Sequence, residues 1–156
     1  WKADRQNSQR LFPGVPYVML HSLSHLLLSA IALDCGYPAS SLRERVFAFD
    51  GRFGILIHTG STDADGTLGG LVEEGRRLGL HMERAREAAQ LCSNDPVCAD
   101  HRADDVHERR FLHGAACHGC LLIAETSCEQ RNDLLDRALV FPTVATPNAA
   151  FFPGKP

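Results

Sequence analysis

Five of the six cysteines fall between Cys92 and Cys128, and this clustering constrains the fold more than any other feature. The runs are Cys92-Ser-Asn-Asp-Pro-Val-Cys98, Cys117-His-Gly-Cys120 and, eight residues on, Cys128. A Cys-x-x-Cys pair with a glycine inside makes a tight turn that aims two thiolates at one point. Cys128 stands where a helix is expected to begin, and free backbone N–H groups stabilise a thiolate there. Zinc bound by four sulfurs at ~2.3 Å needs such convergence from separate segments. Cys117, Cys120 and Cys128, with Cys92 or Cys98 as the fourth, are therefore read as ligands of one structural zinc. Disulfides need an oxidising compartment, and no export signal is visible. A redox Cys-x-x-Cys does not need three further cysteines. His113 and His118 flank the turn and offer a Cys3His variant, and Cys35 reads as a buried thiol.

The rest of the chain predicts an α+β fold, with helices packed on a small sheet or hairpin and the zinc knuckle near a C-terminal helix. Residues 1–14 read as a linker or the tail of a preceding element, 15–140 as one domain, and 141–156 as an irregular tail rich in proline. Pro16 suits a first helical turn, Tyr17–Leu33 is apolar, and Gly36 suits a C-terminal cap. His21, Ser22, Ser24, His25 and Ser29 interrupt that run, which favours a buried core helix over a membrane span. Arg45–Phe49 and Phe53–Thr59 flank Asp50-Gly51 and predict a hairpin with at least one interior strand. Helices are expected over about Leu71–Leu78 and His81–Leu91. A final helix is expected from Thr126, where Glu129 completes a capping-box spacing and Leu134, Leu135, Ala138 and Leu139 form an apolar face.

Composition excludes several functions. Of 16 basic residues only Lys2 and Lys155 are lysines, so there is no internal Gly-Lys-Ser/Thr phosphate loop and no His-x-Lys nuclease pattern. The net charge of −3 gives no global case for gripping nucleic acid. Arg109, Arg110 and Arg131 remain as a local candidate for DNA contact. His21 and His25 have the i, i+4 spacing of zincin proteases, but Ser22 stands where the general-base glutamate belongs. A metal-dependent hydrolase built from His21, His25, Asp63 and Asp65 is the enzymatic alternative, and no nucleophile–base pair can be assembled for it.

Several of these residues together resemble a known family. They are His21-Ser-Leu-Ser-His25, Gly54-Ile-Leu-Ile57, Gly66-Thr-Leu-Gly-Gly-Leu71, Cys92 and Cys98, His113-Gly-Ala-Ala-Cys117-His-Gly-Cys120, and Glu125-Thr-Ser-Cys128-Glu129 with Asn132–Asp136. The run is similar to the C-terminal zinc-binding domain shared by MrfA-type repair helicases and the DISARM antiphage protein DrmB. A polar insertion between Cys98 and Cys117 makes it more similar to the DrmB branch. The resemblance implies a non-enzymatic accessory domain in a prokaryotic cytoplasm, carrying one zinc and working with a DrmA-like helicase subunit on DNA, without a membrane. A helicase-associated domain of a repair protein is the alternative it allows.

Overall fold

A computed structural model describes residues 12–60, 67–101 and 112–154. The fold is α+β and is organised around one helix. That helix, α1 (Val15–Cys35), begins after Gly14 with Pro16 in its first turn and stops at Gly36, whose φ of 67° is left-handed. Leucine, alanine and isoleucine dominate it, and residues 21 to 28 are buried without interruption, His21, Ser22, Ser24 and His25 among them. By length and composition α1 is long and apolar enough to cross a membrane. In the fold, 72% of its apolar window is covered by the rest of the chain.

The predicted hairpin forms one side of that cover. Strands β1 (Leu42–Phe49) and β2 (Arg52–Thr59) pair antiparallel, with Phe49 opposite Arg52. Asp50 and Gly51 both take positive φ, 50° and 70°, the requirement of the tight turn that matches strand twist. The expected interior strand is not found. Leu42, Glu44 and Val46 of β1 point inward and alternate with exposed residues, while Phe47, Phe49, Phe53 and Leu56 are exposed. A two-stranded ribbon has only one face to bury, so its phenylalanines exceed the core available to them.

Helices α2 (Thr67–Gly75) and α3 (Leu78–Gln90) follow, beginning four and three residues before their predicted starts. Ala85 and Ala89 of α3 are fully buried and join Leu23, Leu26 and Leu27 of α1 in the main core with Leu121, Leu135, Val140 and Phe141. Asp34, at the end of α1, pairs with Arg84, and His81 of α3 contacts Glu74 of α2 at 2.8 Å.

The expected final helix is absent. Glu125–Ser127 and Arg137–Leu139 are single 3-10 turns, and Arg131, Asn132 and Leu134 take φ of 53°, 63° and 60°, which no α-helix accommodates. Local side-chain bonds explain the failure. Cys128 Sγ accepts the backbone N–H groups of Gln130 and Asn132 at 3.3 and 3.2 Å. The Asn132 amide spans Ile123, accepting its N–H at 3.1 Å and donating to its carbonyl at 2.9 Å. Groups that a helix would need are thereby committed elsewhere. Beyond Val140 the chain is irregular but anchored: Phe151 and Phe152 donate backbone hydrogen bonds to Leu139 and Val140, and the Phe152 ring stacks on Phe141 at 5.3 Å.

Candidate metal centre

Cys92 follows the end of α3, and the chain then folds through tight turns to Cys98, whose N–H donates to Asn94 O at 2.9 Å. The Cys117–Cys120 segment is a second turn, closed by N–H donation from Cys120 and Leu121 to the Cys117 carbonyl at 3.0 Å each. These two turns bring four sulfurs together. Cys92 Sγ lies 3.5 Å from Cys117 Sγ, Cys98 Sγ 3.7 Å from Cys120 Sγ, and Cys117 Sγ 3.7 Å from Cys120 Sγ. Four sulfurs at ~2.3 Å from a central zinc stand ~3.8 Å apart on a tetrahedron, so the cluster has the size of a zinc site. No disulfide joins any of the six cysteines.

Backbone donors prepare the sulfurs for negative charge. Asn94 N–H donates to Cys92 Sγ at 3.4 Å, Gly119 N–H to Cys117 Sγ at 3.3 Å, and the Asn94 amide to Cys117 Sγ at 3.3 Å. The two turns approach closely at Gly119, where a Cβ would sit 2.9 Å from Ser93 Oγ. Burial opposes ionisation of Cys117, but donation from Asn94 and its neighbours brings it down to about 7. Sharing a proton with the Cys120 sulfur pushes Cys98 well above the ordinary thiol range. A bound cation favours thiolates throughout. Arg137, completely buried, secures the first turn by donating to Ala89 O at 2.5 Å and pairing with Asp95.

The other sequence candidates lie elsewhere. Cys128 is not in the four-sulfur cluster. It stands with His21, His25 and Glu44 in a separate buried group whose polar atoms are all within 4.8 Å of one another. His113 contacts Asn132 O and His118 is exposed, so neither replaces a sulfur. Cys35 is half-buried at the end of α1. Arg131 is exposed. Arg109, Arg110, Asp63 and Asp65 lie outside the described residues. Sequence reasoning missed Glu44, although a carboxylate on the inward side of an alternating strand is a local conflict that marks a special position. It also missed Arg137.

A four-cysteine cluster with the dimensions of a tetrahedral zinc site defines the class: a small domain built around a zinc site. The chain matches the MrfA Zn-binding domain model over residues 23–121, a span that includes Cys92, Cys98, Cys117 and Cys120. It belongs to that family. It is also 42% identical over 142 residues to DISARM protein DrmB of Bacillus paralicheniformis (strain ATCC 9945a / NCIMB 11709 / CD-2). That similarity covers 90% of this chain and 25% of DrmB, so the chain spans about a quarter of that relative's length.

Proposed function

We propose that this chain is a non-catalytic, zinc-stabilised accessory domain of a DrmB-like antiphage defence protein, cytoplasmic in its prokaryotic cell and working with a helicase partner on DNA. Cys92, Cys98, Cys117 and Cys120 are its zinc ligands. The observation that carries this reading is the closed four-sulfur set: it leaves no coordination position for water or substrate, which separates structural from catalytic zinc. When bound, the ion supplies a cross-link between the turn after α3 and the turn that leads to Leu121 in the core.

DNA engagement in this reading is electrostatic and depends on the assembly. Arg109, Arg110 and Arg131 supply phosphate contacts that hold position without reading sequence. Purified alone, the chain should turn over neither nucleotide nor DNA and should bind DNA weakly. In the parent protein with its helicase, Arg109→Ala with Arg110→Ala should weaken DNA binding equally across sequences. It should also lower the slope of log K against log salt by up to ~1.8, at ~0.9 per phosphate contact. Unchanged affinity and slope would remove these arginines from the interface. DNA or nucleotide turnover by the chain alone, abolished by His25→Ala, would overturn the accessory reading.

A further inference from the structure

His21 and His25 project from successive turns of α1, Glu44 from the inward face of β1, and Cys128 from the segment after Glu125–Ser127. All four are at most 7% exposed, and their ligand atoms lie within 4.8 Å of one another. We propose that they form a second metal site, which binds one divalent zinc ion through His21 Nε2, His25 Nε2, the Glu44 carboxylate and Cys128 Sγ. His21 and Cys128 fall outside the residues matched by the family model, so the site is not part of that description.

Four observations support this. Each imidazole is braced through its other nitrogen, His21 Nδ1 on Leu134 O at 3.2 Å and His25 Nδ1 on Leu121 O at 2.8 Å. This leaves both Nε2 atoms directed at the cluster, as in metal-bound histidines held by backbone carbonyls. Second, His25 Nε2 and Glu44 Oε1 are buried and have no hydrogen-bond partner among the described residues. Glu44 Oε1 is nonetheless 2.9 Å from His21 Nε2 and 3.5 Å from His25 Nε2. His21 Nε2 also meets Cys128 Sγ at 3.1 Å, so the four ligand atoms crowd one buried point.

Third, Cys128 Sγ accepts two backbone N–H groups, where Cys92, Cys117 and Cys120 Sγ in the four-cysteine cluster accept one each. The other Glu44 oxygen is held by Ser24 Oγ, which orients the carboxylate. Fourth, two neutral imidazoles, one carboxylate and one thiolate carry the charge that a divalent cation cancels, so the loaded site is neutral in an interior hostile to unpaired charge. Borderline nitrogen and sulfur donors select zinc over calcium or magnesium, and the burial leaves no open position. By contrast, the Asp34–Glu74–His81 group is served by the cations of Arg77 and Arg84, so its charge is already met.

The test is elemental analysis and zinc-edge X-ray absorption on the purified chain. Two zinc per chain, with sulfur and nitrogen or oxygen in the first shell, is expected. Glu44→Gln and Cys128→Ser should each lower the content from two to one and leave a sulfur-only shell. A sulfur-only shell in the wild-type chain overturns the second site, and this reading does not depend on any variant folding. One zinc with a mixed shell would keep the second site and overturn the four-cysteine assignment instead.

Discussion

Replacing Cys120 by serine should unfold far more than the cysteine-bearing turns. From sequence alone the region of 92–140 looks separable, because most large apolar residues lie in the first helix and hairpin. The structure joins the two parts at the next residue. Leu121 is fully buried in the core with Leu23, Leu26, Leu27 and Phe141, and its carbonyl receives His25 Nδ1 at 2.8 Å. Zinc binding in small domains supplies ~10–16 kcal/mol, against a net stability of ~5–15 kcal/mol for a whole domain. Releasing the turn also puts at risk the burial of Leu121, worth ~1.5–3 kcal/mol. Loss of one ligand is therefore comparable with everything that holds the fold. Hydrogen exchange on Cys120→Ser should show protection falling in α1, across residues 18 to 32, together with residues 112–140. Wild-type protection of α1 alongside free exchange in 92–101 and 112–140 would refute this coupling.

Two further perturbations test the frame around the metal centre. Asp95→Ala should cost ~3–5 kcal/mol in urea denaturation, because it leaves the buried Arg137 guanidinium without its carboxylate. Less than ~1 kcal/mol would mean that water reaches Arg137. Gly114→Ala would drive a Cβ into the Asp136 carboxylate, and Asp136 cannot retreat without losing the N–H groups of Ala115 and Ala138. A loss of ~1–3 kcal/mol is expected, with an unchanged thermal midpoint as the contrary result.

Much of the scaffold is legible in the residues. Pro16 and Gly36 delimit α1, and Asp50-Gly51 specifies the hairpin. These are local rules, and local chemistry decides them. The C-terminal segment misleads because Thr126, Glu129 and the following leucines satisfy helical spacing, while Cys128 and Asn132 draw the same backbone groups into turns. The cysteine-rich region announces a metal, and Cys92, Cys98, Cys117 and Cys120 do converge in space. What spacing does not determine is where Cys128 goes. Its neighbours His21 and Glu44 are distant in sequence and reach it only because α1 and β1 pack on the same side of the C-terminal segment. Arg137 is hidden for a related reason, since its partner Asp95 lies inside the Cys92–Cys98 turn.

The most direct test of the account is zinc content across a series of single Cys→Ser variants of the purified chain. Substitution at Cys92, Cys98, Cys117 or Cys120 should each remove at least one equivalent relative to wild type, and Cys35→Ser should remove none. Full wild-type zinc content in a folded Cys98→Ser or Cys120→Ser chain would contradict the assignment of zinc to the four-cysteine cluster.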